Sequence, residues 1–506
     1  MAGVPAGAQW PSRSAGHLEL IQAVADEGDA ACFDGLLAWI VRENSRKARL
    51  AKLLRRTGLL SLPPAHHGRR SSTRWEEVRA MSVRTRPPAA VEVSPTVRGP
   101  RPWIGILCAA TAAVGFLTGR DGTPGWQVVR VALTVAVAVA VGYIILRASA
   151  PVRGPATAAA GVVVTAVGAG TGLPHLAKVG WSAVTAAGVL ALVCGTALLV
   201  GGAVVTVRAA HRWWRLPVAL AVALVAVVSL WSGTVAVAAT NVPRTAVGPT
   251  TPGERGLAYD DVTFPTTDGV RLSGWYLAST NRAAVVLLHG AGSTRSAVLD
   301  HAVVLARLGY GVLLFDARGH GRSGGRAMDL GWYGDRDVGA AVSYLRTRLD
   351  VDGARIGAVG LSMGGEEVLG AAATDPRIRA VVAEGATNRV AADKAFLSEA
   401  YGVRGRVQRG IDALTYAVTD ALTAAHPPVT LRAAARAMAP RPVLLVTAGD
   451  VPDEGHAARY IQRGNPGVRI WEVPDSGHTR ALRTHPDEWR QRVSAFLAAA
   501  LGPPPA

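Results

Sequence analysis

Between Arg101 and Thr240 the chain carries a single carboxylate, Asp121. Backbone N–H and C=O groups left unpaired in hydrocarbon are costly, so a stretch this apolar is either a run of core helices or a set of membrane-crossing helices. Helices of a soluble core are seldom repeated four or five times with almost no acid. Ala/Val/Leu-rich runs separated by short basic or Gly/Pro-containing links define spans near 103–118, 131–146, 156–173, 181–207 and 216–239. A crossing needs about twenty mostly apolar residues. By that measure the first run is short, and the third, rich in Gly, Ala and Thr, is the weakest.

Charge placement orients these spans. Fifteen Lys/Arg precede residue 100, Arg147 and Arg153 follow the second run, and Arg208, Arg212 and Arg215 lie between the fourth and fifth. The alternate links hold only Arg120 with Asp121, then Lys178, then Arg244. The richer set faces the cytoplasm under the positive-inside rule. Five spans from a cytoplasmic N-terminus then deliver the rest of the chain outside a cell membrane. If the 156–173 run stays on one side, the Arg208/Arg212/Arg215 cluster is exported, which the same rule disfavours.

The formal net charge of +18 divides accordingly. Residues 1–100 hold +6 (15 basic, 9 acidic) and residues 101–240 hold +8 (9 basic, 1 acidic), leaving +4 for the remainder. The high pI is mostly topology signal and makes no case for nucleic-acid binding. Cys32, Cys108 and Cys194 all precede residue 241, and no clustered Cys/His spacing suggests a metal; no cofactor is expected. His66-His67 reads as a solvated pair. Within residues 1–100, 17–31 and 34–60 read as helices, the second basic enough to lie on an anionic leaflet. Met81 is an alternative start, preceded by Glu76-Glu77-Val78, and 84–101 reads as a disordered lead-in.

The chemistry lies beyond a linker at 241–258. Ile356-Gly357-Ala358-Val359 reads as a buried strand, Gly360-Leu361-Ser362-Met363-Gly364 follows it, and Glu366 to Ala373 reads as a helix. A G-x-S-x-G sequence at a strand-to-helix turn sets the serine on a strained corner with its hydroxyl exposed at the sheet edge. Upstream, the apolar run Ala284 to Leu288 ends in His289-Gly290-Ala291-Gly292-Ser293. Such a glycine-rich loop supplies a second oxyanion donor, which assigns the pair to the N–H groups of Ala291 and Met363. His289 stands where the chain turns and is expected to orient the loop.

Downstream, the strand Val443 to Thr447 leads into Ala448-Gly449-Asp450-Val451-Pro452-Asp453, and the strand Val468 to Val473 leads into Pro474-Asp475-Ser476-Gly477-His478. The order serine, acid, histidine is that of a nucleophile activated by a base whose tautomer an acid holds. Asp450 is the first choice of acid, because it directly follows the strand. Asp453 and, after the strand Ala380 to Ala383, Glu384 also satisfy the order.

With Phe315-Asp316-Ala317-Arg318-Gly319-His320-Gly321-Arg322-Ser323 and Leu330-Gly331-Trp332-Tyr333-Gly334-Asp335, these motifs resemble the α/β-hydrolase superfamily over 259–501, most of all the dienelactone hydrolase and prolyl-oligopeptidase-type branch. The resemblance implies an α/β fold with a mostly parallel eight-stranded sheet flanked by helices, and Ser362, Asp450 and His478 in the triad positions. Glu366 and Glu367 depart from the small apolar residues usual there; acids suit a helix's first turn. Residues 388–439 read as a helical, basic lid.

The expected function is a membrane-anchored serine hydrolase, cleaving an ester or amide of a small-molecule, lipid or peptide substrate. A membrane sensor or transport accessory that uses the fold as a binding module is the alternative. The spans hold no interior acid to mark an ion path. Substrate class and oligomeric state are not written in the sequence.

Overall fold

The computed structural model describes residues 124–326 and 329–502, with a few helical positions between 107 and 114, all within one compact unit. The expected span 103–118 lies almost wholly outside the described residues, as do the expected N-terminal helices. From residue 124 the described chain opens with four helices: α1 (Pro124–Arg147), α2 (Ala150–Val179), α3 (Ala183–Ala209) and α4 (Arg215–Thr240). Three of them, α2, α3 and the stretch Arg212–Thr240, are long and apolar enough to cross a membrane; in α1 the apolar part is the shorter Val131–Arg147.

The run that reads as weakest, 156–173, lies inside the 30-residue α2. Its glycines explain both observations. Gly154, Gly161 and Gly168 on α2 recur every seven residues, as do Gly188, Gly195 and Gly202 on α3, so each set stays on one seam. A methyl on Gly161 would overlap the Leu199 backbone, on Gly168 that of Leu192, and on Gly202 that of Ala158. The two helices are thus antiparallel with their backbones in contact, a mode of packing that small residues permit. Gly170 meets Thr234 and Val237 of α4, which runs parallel to α2. The end of α2 and the end of α4 therefore lie at the same end of the helical region.

The rest of the chain builds one eight-stranded sheet: β1 (Asp260–Pro265), β2 (Arg271–Leu277), β3 (Ala284–Leu288), β4 (Gly311–Asp316), β5 (Ile356–Leu361), β6 (Ile378–Glu384), β7 (Val443–Ala448) and β8 (Arg469–Val473). The order is β1-β2-β4-β3-β5-β6-β7-β8. Only β2 runs antiparallel to its neighbours, and the remaining pairs are parallel. Strands β3, β4, β5 and β7 are buried throughout, which is why they read as unbroken apolar runs.

Helices α5 (Leu299–Arg307), α6 (Gly334–Leu345), α7 (Met363–Thr374), α8 (Phe396–Leu422), α9 (Leu431–Met438), α10 (Pro452–Gln462), α11 (Ala481–Thr484) and α12 (Pro486–Leu501) complete the fold. One apolar core holds Phe315, Val338, Val368 and Leu431; the other holds Trp275, Leu287, Trp489 and Phe496. Each face of the sheet is covered, as a parallel sheet requires. The crossovers leave the loops after β3, β4, β5, β6, β7 and β8 at one carboxyl edge, where such folds carry their sites.

Candidate active site

Ser362 is the single residue between β5 and α7, with φ 53° and ψ −125°. A positive φ on a side chain that carries a Cβ costs about 1–3 kcal/mol and is held only by its surroundings. Those surroundings are visible. A methyl on Gly360 would run into the Gly364 carbonyl, and one on Gly364 would come within 2.6 Å of the Leu288 carbonyl oxygen. The turn therefore closes only with glycine at both positions. The Ser362 N–H donates to the Glu384 carbonyl at 2.7 Å, which fastens the corner to the end of β6.

The loop after β3 lies against this corner. A Cβ on Gly290 would sit 3.1 Å from that of Ser362. Two buried histidines fix the loop. His289 Nε2 accepts from the Ala317 N–H at 3.1 Å, so its proton is on Nδ1, which donates to the Gly290 carbonyl at 2.8 Å. His320 Nε2 accepts from the Gly292 N–H at 3.2 Å and its Nδ1 donates to the Arg318 carbonyl at 2.9 Å. Burial lowers their pKa values to about 4 and about 3, so both rings are neutral staples near pH 7. From the helical region, Lys178 Nζ donates to the Gly292 carbonyl at 2.8 Å, and Thr245 Oγ1 donates to the same oxygen at 2.8 Å. The Ala291 N–H, in the middle of this loop, has no hydrogen-bond partner among the described residues. Met363 opens α7, where N–H groups have no intrahelical acceptor.

His478, in the loop after β8, is half-buried. Its Nδ1 is 2.6 Å from Glu454 Oε1. Glu454 is buried in the first turn of α10, and its Oε2 accepts the Ala448 N–H at 2.8 Å. The imidazole lies over Gly385, where a methyl would come within 2.8 Å of His478 Cε1. Residues 384 and 385 thus touch both the serine corner and the histidine ring, bringing Ser362, His478 and Glu454 to one edge of the sheet.

The carboxylate that meets His478 is not the one expected. Asp450 is exposed; its N–H donates to the Ser476 carbonyl at 3.1 Å. Asp453 Oδ1 accepts from the Tyr401 hydroxyl at 2.5 Å. Glu384 is buried, with Oε1 on the Ala481 N–H at 3.0 Å and Oε2 on Trp489 Nε1 at 3.2 Å, and burial raises its pKa to about 7. The single Nδ1 proton of His478 is committed to Glu454. Pro452 at the start of α10 marked the place: Glu454, Ala457, Ala458 and Ile461 form the buried stripe of that helix. Glu366 Oε1 accepts the N–H groups of Thr387 and Asn388 at 3.0 and 2.9 Å, and so braces the loop after β6; burial raises its pKa to about 7. Among the described residues no three His, Cys, Asp or Glu side chains converge to hold a metal ion.

Residues 285–492 match the model of the alpha/beta hydrolase family. This part of the chain has the α/β-hydrolase fold. An uncharacterized protein of Mycobacterium tuberculosis is 40% identical over 119 residues, 23% of this chain and 42% of that protein. The thiohydrolase aneE of Aspergillus aculeatus is 36% identical over 129 residues, 24% of this chain and 40% of that protein. YfhR of Escherichia coli is 26% identical over 255 residues, 48% and 82%. The chain thus spans about two fifths of the first curated relatives it matches. Among solved structures, the Pyrococcus furiosus esterase Pf2001 is similar over 52% of this chain and 98% of its own, at 26% identity and a TM-score of 0.43.

Proposed function

We propose that the chain is a membrane-anchored serine hydrolase that cleaves an ester or amide through an acyl-enzyme. The observation that carries this reading is the strained Ser362 corner on the same sheet edge as a histidine whose Nδ1 is held by a buried carboxylate. Ser362 Oγ attacks the substrate carbonyl carbon as His478 Nε2 takes its proton, and the carbonyl π pair moves to oxygen. The N–H groups of Ala291 and Met363 receive that oxyanion. Collapse breaks the bond to the leaving group, which takes the proton from His478. Water, activated by the same imidazole, then releases the acid and frees Ser362. Glu454 keeps the proton on Nδ1 and stabilises the imidazolium; it replaces Asp450 in that role.

The apolar helices serve as the anchor, and the charge distribution of their links supports placing the hydrolase outside the cytoplasmic membrane. Treatment of the full chain with a fluorophosphonate tests the chemistry: a covalent adduct on Ser362, absent in Ser362→Ala, is expected, and an adduct elsewhere or none overturns it. Alkaline phosphatase fused after residue 250 tests the side, with activity expected there and its absence placing the site in the cytoplasm.

A further inference from the structure

Helix α8 lies between the candidate site and the candidate spans. At one end the Tyr401 hydroxyl donates to Asp453, the neighbour of Glu454. Toward the other, Tyr416 stacks on Trp332 and its hydroxyl accepts from Asn388, whose N–H is held by Glu366 one turn beyond Ser362. Between them, the Ile411 carbonyl accepts from Ser232 of α4 at 3.4 Å.

At 1.5 Å per residue, α4 is about 39 Å long, against a hydrocarbon core of about 30 Å. Arg212 and Arg215, with the exposed Trp213 and Trp214, mark one membrane boundary at its start. Ser232 is then about 26 Å along the helix, still within the core or at its far edge. The burial of α4 agrees: Leu216, Leu220, Leu224 and Val227 are exposed, whereas Ser232, Ala236, Val237 and Thr240 are covered.

Helix α8 carries the matching surface. Val403, Val407, Ile411, Leu414 and Leu422 fall on one stripe at helical spacing, and Val403 and Val407 are 66% and 61% exposed. Arg404, Arg406 and Arg409 are exposed beside it. An apolar stripe flanked by arginines suits the boundary of acyl chains and phosphate headgroups.

We infer that α8 lies in the membrane interface and that the substrate is an acyl ester of a bilayer amphiphile, reaching Ser362 from the leaflet along this helix. The inference rests on the serine-hydrolase reading. The test uses the full chain in anionic lipid nanodiscs, with a long-chain acyl ester dissolved in the bilayer and a short-chain ester dissolved in water. Val407→Asp with Leu414→Asp should lower kcat/KM on the bilayer ester by about tenfold or more, the scale of two apolar side chains leaving lipid. Turnover of the soluble ester and the fluorophosphonate labelling rate should stay within about twofold, well under one decade of free energy. Val407→Ser with Leu414→Ser covers the case in which the charged pair does not fold. Equal losses on both esters, no loss on either, or a wild-type chain that cleaves only the soluble ester would overturn the inference and leave the serine-hydrolase reading standing. A wild-type chain inert to both esters and to the probe removes both. Independently, bimane on Val407→Cys, with the three native cysteines changed to serine, should be quenched by lipids brominated near the headgroup; unquenched bimane overturns the placement.

Discussion

Glu454 Oε1 lies 2.6 Å from His478 Nδ1 while its other oxygen takes the Ala448 N–H, so one carboxylate ties the imidazole to the end of β7. Replacing it with an amide keeps the shape and offers the wrong hydrogen-bonding pattern. Glu454→Gln should lower kcat by about three to four orders of magnitude, as loss of the tautomer-holding acid does elsewhere. Asp450→Asn, at an exposed side chain, should leave kcat within about twofold. Steady-state kinetics on one soluble ester ranks the two, and the opposite ranking returns the role to Asp450.

The Ser362 corner stores strain that only its side chain justifies. Ser362→Gly should abolish turnover and raise stability by about 1 kcal/mol, because glycine takes φ 53° without the Cβ clash. Thermal unfolding followed by tryptophan fluorescence reads the gain. An unchanged or lower midpoint would mean that the hydroxyl contributes more than the strain costs.

Gly385 has φ 71° and lies under the His478 ring. Gly385→Ala should tilt the imidazole and cut kcat by about a hundredfold, the cost of roughly 1 Å of misplacement. The fluorophosphonate labelling rate should fall in step. A variant that is stable and fully active would show that the ring has room to move.

Burial raises the pKa of Glu366 to about 7, above the 4.5 of the unbured group. The folded state therefore binds the extra proton, and its contribution to stability is full below about 4.5 and lost as the pH rises through about 7. Glu366→Gln keeps an oxygen for the Thr387 and Asn388 N–H groups and cannot ionise. Relative to wild type, its unfolding midpoint should rise between pH 5 and pH 8, and parallel pH profiles would refute the assignment. Glu384, also raised to about 7, leaves part of the slope in the variant.

Lys178 reaches the Gly292 carbonyl, one residue from the Ala291 N–H, and is therefore expected to position the proposed oxyanion loop. Lys178→Met should lower kcat by about tenfold, on the scale of one charge-assisted hydrogen bond, with KM little changed. Lys178→Arg should recover part of the loss. A change confined to KM would assign Lys178 to substrate binding.

The fold was legible because its central strands are unbroken apolar runs and because Gly360, Ser362 and Gly364 permit few other corners. The position of His478 at the sheet's carboxyl edge was legible from its place after a strand. Glu454 was not, since a carboxylate two residues inside a helix looks like ordinary first-turn electrostatics until the buried stripe it shares with Ala457 and Ile461 is followed. The third apolar run read as weak for a related reason. Hydropathy scores glycine as nearly neutral, whereas Gly161 and Gly168 carry α2 by letting α3 approach closely.

The contacts of Lys178, Thr245 and Ser232 with the sheet-bearing half bear on how the protein is made in the laboratory. Cutting the chain near residue 250 looks like the obvious route to a soluble reagent, because the sheet and both of its cores lie beyond that point. Such a fragment would keep its secondary structure and lose three ties that hold the loop after β3 and α8. Compounds screened against it would meet a Gly292 loop and an α8 held less firmly than in the intact chain, and hits from it should rank differently there.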